Sequence, residues 1–74
     1  MKRYFKNQPI GVFDENGTEV KEGDVVLGFV ISSYHQTEHT YEVKYEPDLA
    51  SFVFEEVDDG EQYEALKIHV LKVI

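Results

Sequence analysis

Turn-forming clusters punctuate this chain at short intervals, and that spacing constrains its fold more than any other feature. They are Asp14-Glu15-Asn16-Gly17, Glu22-Gly23-Asp24, the polar stretch Ser33–His39, Pro47-Asp48 and Asp58-Asp59-Gly60. Short apolar pieces between such signals are the pattern of an all-β domain. Asp14 bonds local backbone, Asn16-Gly17 tolerates positive φ, and Gly23 precedes an Asp24 placed to accept backbone N–H groups.

The pieces between the turns read as strands. Ile10–Phe13 and Thr18–Val20 flank the first turn. Val25–Ser33 is apolar on both faces and reads as a central strand, with Gly28 marking a bulge or bend. Thr40–Glu46 alternates cleanly: Tyr41, Val43 and Tyr45 face one side, and Glu42, Lys44 and Glu46 the other. Ser51–Val57 follows, with Phe52 and Phe54 inward. Near the C-terminus, Tyr63, Leu66 and Val70 fit a helical stripe, while Leu66, Ile68 and Val70 alternate as a strand. The β-branched Ile68, Val70, Val73 and Ile74 favour a strand from about Leu66, with room for one helical turn before it. The expected fold is a small antiparallel domain of five to six strands, a strongly bent sheet or half-open barrel. Its predicted core is Phe13, Val20, Val25, Leu27, Phe29, Ile31, Tyr41, Val43, Tyr45, Phe52, Phe54, Leu66, Ile68 and Val70.

With 74 residues, one domain is the ceiling, and residues 1–9 read as an N-terminal arm or edge strand before a β core at 10–74. The chain contains no cysteine, which excludes disulfides, thiolate metal sites and a cysteine nucleophile. Small secreted domains usually carry disulfides, so the cytoplasm is the expected setting. No apolar run approaches the ~20 residues of a membrane helix. Lys2, Arg3 and Lys6 resemble a signal-peptide start, but Asn7-Gln8-Pro9 follows instead of an apolar segment.

Fifteen acidic residues against seven Lys and Arg leave a formal net charge of −8. Between Glu38 and Glu64 ten acids face one base, Lys44. Sequence-independent DNA binding needs the opposite sign. Tyr34, Tyr41, Tyr45 and Tyr63 are potential base-stacking residues, but they lie among acids, so nucleic acid is not an expected partner.

Three segments resemble the YopX family of small phage and prophage proteins. The first runs from Ile10 through Asp14-Glu15-Asn16-Gly17 and Glu22-Gly23-Asp24 to Val26. The second is Tyr41-Glu42-Val43-Lys44-Tyr45 with Ala50-Ser51-Phe52-Val53-Phe54-Glu55. The third, Leu71-Lys72-Val73-Ile74, is similar to the family's ending but stops before its Gly-Asn. The resemblance implies a β-rich fold and a phage or prophage origin. It implies no activity and no functional residues.

Few residues suggest chemistry. Asp14, Asn16 and Thr18 have the alternation of a calcium loop, but Glu19 and Val25 stand where an EF-hand needs glycine and glutamate. His35 and His39 are four apart, a zinc-compatible spacing only on a helix, with Glu38 and Glu42 as further ligands. The polar stretch between strands instead suggests exposed turn histidines. Glu55, Glu56, Asp58 and Asp59 lack the cleft that separates carboxylate pKa values. Ser32, Ser33 and Ser51 have no adjoining base. No enzyme activity and no cofactor is expected. The acidic residues Glu42, Glu46, Glu55, Glu56, Asp58, Asp59 and Glu61 are the expected partner-binding surface of a protein–protein interaction module, which also has strand edges for self-association. The alternative is an acidic DNA mimic that inhibits a nucleic-acid enzyme, which needs those carboxylates in one regular stripe.

Overall fold

The computed structural model describes residues 7–32 and 34–74. The basic positions Lys2, Arg3 and Lys6, the apolar pair Tyr4–Phe5 and Ser33 lie outside them. The fold is all-β. Its strands are β1 (Pro9–Phe13), β2 (Glu19–Lys21), β3 (Val25–Val30), β4 (His39–Glu46), β5 (Ser51–Glu56), β6 (Gln62–Glu64) and β7 (Ile68–Val73). A 3-10 turn at Ala65–Lys67 separates the last two. β1 and β2 form a hairpin, and the other five form an antiparallel sheet in the order β6-β5-β4-β3-β7. Seven strands stand where five or six were expected. The extra one is β6, three residues inside the stretch read as helix-forming, and it is held by pairing with Val53–Glu55.

The connection between β6 and β7 dictates the sheet's shape. The two strands are at opposite edges, yet only three residues join them. Edge strands of a flat five-stranded sheet stand about 19 Å apart. From Glu64 to Ile68 the chain reaches at most about 15 Å even when fully extended. The sheet therefore curls until its edges approach. It remains open, since β6 and β7 do not pair.

Register sets two faces. Val26 opposes Tyr41, and Val43 opposes Phe54, so these side chains share the inner face. Ile68 and Val70 join them from β7, and Val20 comes from the β1–β2 hairpin, which covers this side. Ile10, Val12 and Val30 pack against the cluster. Gly11, at φ 81°, takes up the two extra residues of β1 between the Pro9–Lys21 and Phe13–Glu19 pairs. Val53 is buried on the outer side of β5, where Lys44 and Glu64 are its register neighbours.

The predicted core needs correction at the uniformly apolar strand. Val26, not Val25, Leu27 or Phe29, is fully buried there, and those three are half-buried on the outer face. The run is apolar at both parities, so period 2 cannot choose between them; pairing of Val26 with Tyr41 does. β3 lies inside the sheet, but only one of its faces is sealed. Phe13 (55% exposed) and Ile31 (50%) sit at strand ends, and Leu66 (81%) belongs to the 3-10 turn. Tyr45 and Phe52 are half-buried and meet edge-on at 5.3 Å.

Two devices hold the hairpin and β7 in place. A Cβ at Gly28 would stand 2.5 Å from the His69 carbonyl oxygen and 3.2 Å from Ile68 Cγ2, at the bulge between β3 and β7. Asp14, only 7% exposed, accepts from the amides of Asn16 (2.9 Å) and Thr18 (2.8 Å) through Oδ1. Its Oδ2 accepts from Val73 N at 3.1 Å, tying the turn to the last strand. This carboxylate serves backbone amides where a calcium loop would present it to a cation. At the neighbouring turns, Gly17 and Gly23 take φ of 84° and 93°, and Asp24 Oδ2 accepts from Lys21 N at 2.8 Å. Asn16 contributes its amide and leaves the positive φ to Gly17.

Burial pushes the Asp14 carboxyl up, but the amides of Thr18, Val73, Asn16 and Gly17 outweigh it and hold it below its ordinary value. A depressed pKa contributes stability above the unfolded-state value that is lost as pH falls through the folded one. Asp14→Asn is therefore less stable than the parent at neutral pH, and urea titrations will show that difference shrinking as pH is lowered below about 4. Gly28→Ala will cost about 1–3 kcal/mol in the same assay, because backbone stands in the way of the new methyl group.

Candidate functional site

Strand alternation carries two polar residues to the inner face beside the core. Tyr41 and Val43 point inward, so His39, two residues earlier, does too. Phe52 and Phe54 point inward, so Glu56, two residues later, follows. His39 Nδ1 and Glu56 Oε2 are 3.0 Å apart. Glu56 is 7% exposed and His39 half-buried. The pair lies in a cleft of about 200 Å³ lined by Val30, His35, Thr37, His39, Tyr41, Glu56 and Tyr63. β3, β4, β5 and β6 each contribute to it, and the β3–β4 loop brings His35 and Thr37.

The expectation of two exposed turn histidines holds for His35 alone. That residue is exposed and stacks edge-on with Tyr34 at 5.0 Å. His39 is a strand residue whose partner is Glu56, not Glu38 or Glu42; Glu42 lies on the opposite face by register. Among the described residues, no group of three His, Asp or Glu is placed to hold a metal ion.

Tyr41 is the strained member of the cleft. It is fully buried, and its hydroxyl has no hydrogen-bond partner among the described residues. An unpaired buried polar group costs about 1–3 kcal/mol. Burial first, then the charge of Glu56, Tyr63 and Asp59, pushes its pKa up to about 12. Tyr63 stands edge-on to it at 6.0 Å and is also pushed up, by burial and then by Glu61, Glu56 and Asp59. The hydroxyls thus stay protonated in a region of negative potential.

The other acidic candidates are divided among separate places. Glu42, Glu46 and Glu55 are on the outer face, where Glu42 directly opposes Glu55. Like charges set opposite one another are destabilising. Lys44 Nζ, 3.3 Å from Glu55 Oε1, offsets this, and Gln62 Nε2 donates to Glu55 and Glu46 at 3.3 Å each. Gln62 first, then Lys44, holds the Glu55 carboxyl below its ordinary value. Asp58, Asp59 and Glu61 occupy the exposed β5–β6 turn, where Asp59 Oδ1 accepts from Glu61 N at 2.9 Å. Glu56 is on the far side of the sheet from Glu55. The carboxylates therefore do not form the single stripe that a DNA mimic requires.

Three half-buried apolar residues complete the outer face. Val25 pairs with Glu42, and Leu27 and Phe29 continue its row along β3. Among the described residues no second layer of strands or helices lies over them, because the hairpin covers the inner side. Both sheet edges are poorly suited to adding a strand. β7 receives the hairpin turn, with Glu15 N donating to Leu71 O at 3.4 Å, and β6 is three residues long. His69 Nε2 and Glu15 Oε2, 2.8 Å apart, close the same edge. Among the described residues no helix is long and apolar enough to cross a membrane.

No protein-family profile, curated protein or solved structure matches this chain.

The unpaired hydroxyl makes a direct stability test possible. Tyr41→Phe keeps the ring packing and removes a group that gains nothing from burial. The variant will be at least as stable as the parent, by up to about 1–3 kcal/mol in urea unfolding.

Proposed function

We propose that this chain is a non-enzymatic protein-binding module that docks a basic, amphipathic segment of another protein against its outer sheet face. One observation carries the reading: register sets the half-buried row Val25, Leu27 and Phe29 on the outer face, which also carries Glu42, Glu46 and Glu55, with Val25 directly opposite Glu42 and Glu42 opposite Glu55. Apolar surface supplies the affinity, and the acidic row selects partners of opposite charge and speeds encounter. A net charge of −8 weighs against a second copy of the chain as the occupant, since acidic face would meet acidic face. The closed β7 edge and short β6 favour face docking over strand addition. The YopX-like segments with the phage or prophage origin they imply, and the cytoplasmic setting expected of a cysteine-free chain, belong to the same reading.

The test is comparative capture from lysate of a phage-carrying bacterium. Bait proteins are the parent, Leu27→Lys, the double variant Glu42→Lys/Glu46→Lys, and Asp58→Asn as a control away from the face. The parent and the control will retain the same basic partner. The two outer-face variants will weaken it by more than about tenfold, and raised salt will weaken the parent's hold. A partner retained equally by all four baits overturns the proposal, and so does a parent that brings down only itself.

A further inference from the structure

The cleft on the inner side plays no part in that docking, yet it is assembled with a defined chemical character. Its volume of about 200 Å³ is below the ~300 Å³ at which drug-sized pockets begin, and it suits one small polar group on a short aliphatic stem. Among the described residues, Glu56 is the one carboxylate in its wall, and no Lys or Arg lines it. Asp59 and Glu61 add negative charge from the β5–β6 turn, felt at the tyrosine hydroxyls. Glu56 and these turn carboxylates would repel an anion there.

The polar atoms on offer match a cation with several donors. Glu56 engages His39 through Oε2, and among the described residues its Oε1 has no hydrogen bond. The buried Tyr41 hydroxyl has lone pairs and, among the described residues, no partner. The rings of Tyr41 and Tyr63 stand at 86° to one another, and aromatic faces attract cations. Val30 gives an apolar wall for a methylene stem.

We propose that this cleft binds a primary ammonium group on a short aliphatic stem, through Glu56, the Tyr41 hydroxyl and the Tyr63 ring. An ammonium has three N–H donors and no acceptor. One donor meets Glu56 Oε1, a second meets the Tyr41 oxygen, and the third is left for the cleft mouth. Binding would thereby give the orphaned hydroxyl its partner. A lysine side chain of a protein and a free small amine share this chemistry.

The test is NMR titration of the full chain with n-butylamine and with Nα-acetyl-lysine amide. Butyrate and the neutral Nα,Nε-diacetyl-lysine amide serve as charge controls. Both amines will give saturable shifts centred on His39, Tyr41, Glu56 and Tyr63, and the controls will give none. Tighter binding of the lysine amide than of butylamine assigns a peptide source; equal binding assigns a free amine. Glu56→Gln will weaken the amines by about tenfold or more, as expected for loss of a charged hydrogen-bond acceptor. Tyr41→Phe, which keeps the fold, will weaken them by about threefold. Absence of saturation by about 50 mM, equal binding of the neutral amide, or unchanged affinity in Tyr41→Phe and Glu56→Gln overturns the proposal.

Discussion

Three residues join the two outermost strands of a five-stranded sheet, and the rest of the molecule follows from that short tether. A flat sheet would put those edges beyond the reach of the chain, so the sheet must curl. Curling concentrates one face around Tyr41, Val43 and Phe54 and lets a single hairpin cover it. So short a chain has little apolar surface to bury, and a curled sheet makes a core from few side chains. On the other face Val25, Leu27 and Phe29 stay half-buried.

Polar groups at the boundary of this small core are treated unequally. Asp14 is nearly buried and well satisfied, with three backbone amides on its two oxygens. One of those amides comes from Val73 in the last strand, so a local turn motif also fastens the hairpin to the far end of the chain. Tyr41 is as deeply placed, and among the described residues its hydroxyl has no such compensation. Its ring is central to the core and meets the His39 ring edge-on at 6.4 Å. A purely structural solution would place phenylalanine there, whereas Tyr41 brings a hydroxyl to a residue that lines the cleft.

Legibility in the sequence depended on whether a segment had two distinguishable faces. Tyr41 to Glu46 alternates apolar and charged residues, and the structure follows that alternation residue by residue. The turns at Asn16-Gly17 and Gly23-Asp24 were legible because positive φ and side-chain capping are local chemistry. β3 was not, because Val25 and Val26 are equally apolar and nothing within the segment selects one parity. β6 was obscured by helix-forming neighbours, and cross-strand pairing with β5 overrode their propensity. The inward course of Glu56 was present in the spacing from Phe52 and Phe54, but a run of acids on either side made it look like one more surface charge.

Local sequence was enough for an all-β domain, the position of its principal turns, its acidic character and the inward residues of its alternating strands. Each of these depends on neighbours within a few positions along the chain. Long-range pairing was needed to put β6 and β7 at opposite edges, to bury Val26 of β3, and to bring Asp14 to Val73. It also decided that His39 meets Glu56 beside Tyr41 while Glu42 and Glu55 meet on the other face. Those outcomes rest on which strand pairs with which and in what register. Register is a property of two segments brought together, and it is set when the whole core closes.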